Sequence, residues 1–121
     1  MTPAMTHASD RLVSADVAAE PLEPDGVSVA LAGASRALVE VGAPVGASVE
    51  ASVEVGLWEA GPGIDTDVEA DEVFLVLSGA GTVTFADGSA LDLRPGVLVR
   101  LHEGDRTTWR ITERLRKLYL A

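Results

Sequence analysis

Hydrophobic residues in this chain come in short runs that alternate with polar ones, a period-two pattern that belongs to strands. The second half carries the most regular beat, with apolar runs at 73–77, 81–85, 89–93, 97–101, 107–111 and 115–120. Between them stand Ser78-Gly79-Ala80, Ala86-Asp87-Gly88, Arg94-Pro95-Gly96 and Glu103-Gly104-Asp105. Strands spaced by roughly 8–12 residues with turn signals between them predict a sandwich or barrel. Asp87-Gly88 is the sharpest of these signals, because glycine tolerates the positive φ that a tight hairpin turn demands.

The first half is less regular. Residues 27–31 and 37–41 read as two short strands joined by Ala32-Gly33-Ala34-Ser35, and residues 47–54 repeat Ala-Ser-Val-Glu twice. Period four through that repeat would line Val45, Val49, Val53 and Leu57 along a helix. Period two sets Ala51, Val53, Val55 and Leu57 against Ser52, Glu54, Gly56 and Trp58, and the many valines with flanking Gly42, Pro44 and Gly46 favour the strand. Trp58 to Gly63 reads as a loop. Residues 1–25, rich in alanine, proline and acid, show no sustained apolar period and read as a flexible N-terminal arm ahead of a single domain at 26–121. Composition leaves open whether the arm is disordered or lies across a partner subunit.

With 121 residues and 47% hydrophobic content, the chain has room for one core. It has no cysteine, which excludes disulfides and a cysteine-ligated structural zinc. The formal charge of −10 argues against nucleic-acid and anionic-membrane partners, whose phosphates call for clustered Lys and Arg. The charge is uneven, at −14 over residues 1–93 and +4 over 94–121. No basic start followed by an apolar run marks a signal peptide, and no stretch of 18 apolar residues occurs, so a cytoplasmic location is expected.

Glu72 followed six residues later by Gly79, and Leu93-Arg94-Pro95-Gly96 followed by a strand and Gly104, resemble the two cupin motifs. The segments 56–63, 71–79 and 107–117 resemble, within the cupins, the subfamily named for the (S)-ureidoglycine aminohydrolase cupin, which includes the ethanolamine-utilisation cupins. The resemblance covers about residues 50–121 and implies an all-β, small single-domain cupin (jelly-roll) β-barrel, often dimeric, with any ligand in the barrel mouth. It also implies where metal ligands would stand. The family's paired histidines fall here on Asp65 and Asp67 or on Thr66 and Val68, its later histidine on Thr107, and only the glutamate remains, as Glu72. A carboxylate-only set is weak for a mid-series transition metal, so no metal or other cofactor is expected, and any metal would use Glu72 with Asp67.

Glu72 is the candidate catalytic residue. On a barrel strand it would share the inward face with Phe74 and Val76, and a carboxylate there is either paired or protonated. It acts as acid/base, or it forms an internal salt bridge to Arg116 or Lys117. Trp58 and Trp109 are the chain's two tryptophans and would wall a ligand cavity or pack the core. With Phe74, Thr107 and Arg116 they complete the candidate ligand-binding set. In 114–120, alternation puts Arg116, Leu118 and Leu120 on one face and Lys117 and Tyr119 on the other, and an inward arginine would fork onto a ligand carboxylate. The acids from Asp65 to Glu72 read as a solvated loop, His102 as a strand cap near the barrel rim, and His7 as part of the arm. Nucleophile-elbow, P-loop and dinucleotide-binding patterns are absent.

Two functions follow. One is a metal-free barrel binding a small polar metabolite as a sensor, carrier or pathway accessory protein. The other is a small-molecule enzyme of isomerase, lyase, cyclase or aminohydrolase type, with Glu72 as acid/base or as part of a carboxylate-led metal site. A filled barrel would instead indicate a dimerisation module. Unpaired sheet edges and the arm, with the resemblance, lead to the expectation of a homodimer.

Overall fold

The computed structural model describes residues 7–45 and 49–121; residues 1–6 of the arm and 46–48, where the Ala-Ser-Val-Glu repeat begins, lie outside the described residues. The strands are β1 (Glu23–Pro24), β2 (Ala34–Val45), β3 (Val49–Ala60), β4 (Gly63–Val68), β5 (Glu72–Phe85), β6 (Ala90–Leu93), β7 (Leu98–Leu101) and β8 (Arg106–Leu120). All pairings are antiparallel. The protein is an all-β single domain of cupin jelly-roll type, with its sheet left open rather than closed into a ring. No helix among the described residues is long and apolar enough to cross a membrane.

Two long strands are shared by both layers. The larger layer has the order β1-β2-β3-β8-β5-β7 and uses the C-terminal half of β8 with the N-terminal half of β5. The smaller, β4-β8-β5-β6, uses their other halves. The sequence shows each long strand as two runs, because the ladder shifts register around Val76 to Gly81 where both strands bend between layers. Ser78-Gly79-Ala80 is therefore a kink inside β5 and not a chain reversal. Gly79 sits at φ +88°, and a Cβ there would run into the Arg114 carbonyl. Between the layers lie Phe74, Val76, Val83, Leu93, Leu101, Ile111 and Leu115.

Three further expectations meet different outcomes. The Asp87-Gly88 turn joins β5 to β6 with Gly88 at φ +87°, and the valine-rich 51–57 stretch is strand. Residues 27–31 are not strand: the Asp25 carboxylate accepts the amides of Val27 and Ser28, drawing the chain into a turn that ends in a short 3-10 segment, Val29–Leu31. The supposed loop at 58–63 and the acidic stretch after it are mostly strand, β3 running through Ala60 and β4 starting at Gly63 to pair with β8.

The arm wraps its own body. Arg116, on the outer face of the larger layer, donates to the Val17 and Glu20 carbonyls at 2.8 and 2.9 Å. The chain then pairs as β1 with β2 and turns over that edge, bringing Asp25 within 3.3 Å of the Trp58 indole nitrogen on the inner side. Burial pushes the Asp25 carboxyl up, but the two amides, the Ser28 hydroxyl and the indole outweigh it and hold the pKa below its ordinary value.

Gly79→Ala combines a left-handed backbone with a clash against main chain, and should cost about 3 kcal/mol or more. Gly88→Ala has the same φ but open space around it, and should cost only about 1 kcal/mol. Thermal melts of the two variants side by side check this.

Candidate ligand-binding site

A cavity of about 290 Å³ opens between the layers at the end covered by the Val27 to Leu31 turn. Strand alternation supplies its walls. From β3 comes Trp58; from β5, Glu72; from β8, Trp109, Lys117 and Tyr119; from β4 and the residue just past it, Asp65, Asp67 and Glu69. Gly56 leaves the room that Tyr119 occupies, since a Cβ there would meet the phenol ring. The Tyr119 hydroxyl donates to Glu54 at 2.7 Å, and burial together with that carboxylate raises its pKa.

Lys117 stands at the centre. It is the only lysine in the chain, its side chain is 9% exposed, and its ammonium donates to Glu72 Oε2 at 2.6 Å. Three rings surround it, with Nζ 4.9 Å from the Trp58 centroid, 4.5 Å from Phe74 and 5.0 Å from Trp109. The ring faces offer the charge what lost water would have offered. Trp109 packs at 5.7 Å from Trp58 and 5.5 Å from Phe74, so the three aromatics form one box.

A second carboxyl lies beside the first. The Thr107 hydroxyl donates to Glu69 Oε2 at 3.2 Å, and the Trp109 indole donates to Thr107 at 3.1 Å and more weakly to Glu69 at 3.4 Å. Burial first, then the hydrogen bond and negative charge of Asp67, push the Glu69 pKa up to about 7, with Glu72 adding to the rise and Lys117 opposing it. Near neutrality Glu69 therefore exchanges a proton while Glu72 holds the ammonium.

The residues singled out from sequence divide into three positions. Trp58, Trp109, Glu72 and Asp67 line the cavity. Phe74 and Thr107 stand one layer behind, Phe74 against the Trp109 ring and Lys117 ammonium, Thr107 under Glu69. Arg116 faces the other way: it pairs with Glu59 at 2.9 Å and clamps the arm, and its neighbour Lys117 is the cation that enters the cavity. Asp65 and Asp67 lie on β4, paired with Trp109 and Thr107 across the ladder, and are not in a loop. Glu69 was hidden in the acidic run, although Asp65, Asp67 and Glu69 alternate and so share a strand face. His102 is exposed on the turn after β7.

The donor set does not fit a metal. Glu72 is engaged by an ammonium, a threonine stands where the resemblance places an imidazole, and among the described residues no group of three or more His, Cys, Asp or Glu is arranged to hold an ion.

Bent antiparallel layers enclosing a cavity at one end are the architecture of a cupin barrel. The chain belongs to the EutQ-like cupin domain family, whose model matches residues 47–119. Among solved structures it is similar to the Clostridium difficile EutQ protein at 19% identity and TM-score 0.51, over 56% of this chain and 54% of that one. A putative ethanolamine utilization protein Q from Salmonella typhimurium LT2 aligns at 17% identity and TM-score 0.53, over 74% and 68%. A Rhizobium leguminosarum protein of unknown function aligns at 27% and 0.54, over 67% and 78%. The chain thus spans about half the length of the first of these. No curated protein matches it.

Two outcomes are expected from variants of the charged groups. Glu72→Gln leaves a buried ammonium without its anion and should cost about 3 kcal/mol, whereas Lys117→Met fills the aromatic box with an apolar chain and strands only the more exposed partner, Glu72, at the cavity wall, so it should cost less than Glu72→Gln, as denaturant titrations will read. For Glu69, the folded pKa of about 7 exceeds the ordinary 4.5. The folded state thus binds the extra proton, and the stability this gives is full below pH 4.5 and lost as pH rises through about 7. Glu69→Gln should flatten that loss, leaving the variant the more stable of the two above pH 7 in melts taken across the range.

Proposed function

We propose that the protein binds a small polar metabolite in the barrel without a metal. The observation that supports this reading is the state of Lys117. An ammonium has three donors, and among the described residues only Glu72 accepts from this one, while Lys117 lines a cavity walled by two tryptophans. A ligand hydroxyl, carbonyl or carboxylate oxygen would take the remaining donors, its carbon skeleton would pack on Trp58 and Trp109, and any N–H or O–H would meet Asp65, Asp67 or Glu69. The cavity holds a compact metabolite and not a drug-sized one, being at the bottom of the usual range. A sensor, carrier or accessory role fits such a site.

A second reading is favoured by the two neighbouring carboxyls. Glu69 near its midpoint at neutral pH and Glu72 held by Lys117 form the kind of pair whose environments separate acid/base roles. In an enzyme of isomerase, lyase, cyclase or aminohydrolase type, Glu69 would move the proton, and Lys117, aligned by Glu72, would stabilise negative charge forming on a substrate oxygen.

Both tryptophans line the cavity, so their fluorescence reports its occupation. Titration with a panel of small carboxylates, polyols and amino acids should give a saturable change that chelator leaves intact and that Lys117→Met weakens at least about tenfold, the worth of one charged hydrogen bond. Near-stoichiometric Mn, Fe, Ni or Zn by elemental mass spectrometry, with ligand binding lost on its removal, would overturn the metal-free reading. Turnover that falls in Glu69→Gln, with a pH profile turning near 7 in the parent, would select the enzyme.

A further inference from the structure

The cavity is short of positive charge. Asp65, Asp67, Glu69 and Glu72 all line it, and among the described residues Lys117 is the one cation in its walls. Glu72 is the acid that Lys117 pairs with, at 2.6 Å. The wall formed by β4 and the residue just past it is left uncompensated, since among the described residues Asp65, Asp67 and Glu69 pair with no basic side chain. The arginines that do form ion pairs are engaged elsewhere, Arg36 on Glu20, Arg100 on Asp71, and Arg114 and Arg116 on Glu59. Each wall acid also has an oxygen free. Asp65 and Asp67 use Oδ1 for the amide of the next residue, Glu69 uses Oε2 for the Thr107 hydroxyl and Trp109 indole, and the second oxygen of each receives no donor from the described residues. Like charges crowd here: burial, then Asp67, push the Glu69 pKa up to about 7, so the wall takes up a proton where a cation would serve.

We propose that the metabolite of this cavity is a small protonated amine, its N–H groups set on the open oxygens of Asp65, Asp67 and Glu69 and an oxygen at its other end on Lys117. The inference rests on the metal-free binding reading above and names the ligand class within it. Two observations independent of the acids point to a ligand in the same space. The Lys117 side chain is only 9% exposed and lines the cavity, with donors left over after Glu72. Trp58 and Trp109 wall the gap between the acids and the lysine, and ring faces accept a carbon chain and a cation alike. A neutral hydroxyl or amide would fill the open oxygens and leave the negative charges facing one another. An anion would add to the excess. An ammonium brings three donors and a positive charge together, and its bonds to carboxylates are the strong, charge-assisted kind. A bare metal ion is disfavoured, because among the described residues no three of these groups are arranged to hold one. A diamine is disfavoured too, since its second ammonium would face Lys117. The two ends of the site therefore read a polarity, amine towards β4 and oxygen towards β8.

Tryptophan fluorescence titrations of the full-length protein with β-alanine, γ-aminobutyrate and ε-aminocaproate, each beside propionate, butyrate or caproate of the same chain length, test this. At least one amino acid should half-saturate at a concentration at least about tenfold below that of its amine-free partner, the worth of one charged hydrogen bond. The ratio within a pair is the readout, because a change in cavity shape moves both members. Asp67→Asn keeps the side-chain oxygen that accepts the Val68 amide and should lower the ratio about threefold, the worth of an exposed ion pair. Asp92→Asn removes the same charge from an exposed position on β6 and should leave the ratio at the parent value. Amine-free acids that bind as tightly as their amino partners, or a ratio that survives Asp65→Asn and Asp67→Asn together, would overturn the proposal and leave the metal-free binding reading standing. Flat titrations for every pair would overturn it as well, and binding that then appears on adding manganese or zinc would identify the metal-free reading as the one that failed.

Discussion

A single buried ammonium sets the terms for the rest of this barrel. Lys117 lies almost out of reach of water, and three groups of atoms must answer for its charge: the Glu72 carboxylate, the faces of three rings, and whatever enters the cavity. The protein's own share of these comes from three strands. Trp58 is on β3, Glu72 and Phe74 on β5, and Trp109 with Lys117 on β8. The three strands must therefore be in register before the charge is compensated, and a slip by one residue would turn Lys117 outward and Arg116 in. A lysine suits this position better than an arginine, because a compact ammonium fits inside a ring of aromatic faces while a planar fork needs acceptors in its own plane.

The bends of β5 and β8 are what allow one strand to serve two purposes. In its first half β8 brings Thr107 and Trp109 under Glu69; in its second it delivers Lys117 and Tyr119 to the cavity. Without Gly79 at positive φ and the register shifts beside it, the two halves would continue straight and the site would be split between two flat sheets. The arm joins the outer surface to the cavity. Arg116 holds it on one face, and the same chain, five residues after Glu20, closes over the mouth through Asp25 and Trp58. Adjacent residues Arg116 and Lys117 thus act on opposite sides of one sheet, the first on the strap and the second on the ligand space.

Much of the fold was legible in the sequence because turn chemistry and period two are local. Asp87-Gly88 can do little except turn, and the valine-rich stretch through Leu57 had neighbours consistent with strand. What stayed hidden depended on distant partners. Residues 27–31 have a strand's alternation but no strand beside them, and Asp25 captures their amides instead. The acids from Asp65 to Glu69 look like a solvated run until β8 is placed against them, when their alternation becomes an acidic wall. Trp58 and Glu72 were visible because rare aromatics and a carboxylate opening an apolar run stand out; Glu69 was not, since its raised pKa arises from burial beneath a strand many residues away.

Arg116 shows why parity alone was insufficient. Alternation correctly separates Arg116, Leu118 and Leu120 from Lys117 and Tyr119, and the usual rule would send the leucine-bearing set inward. Here the rule inverts along the C-terminal half of β8 alone, because that strand turns Lys117 and Tyr119 into the cavity beside an otherwise apolar and aromatic inner face. Leu118 and Leu120 face outward together with Val53, Val55 and Val73, while the inward set is a lysine and a tyrosine. A lysine on the inner face is stable only where a carboxylate and the rings answer its charge, so the same inversion that obscured the site in the sequence marks the cavity.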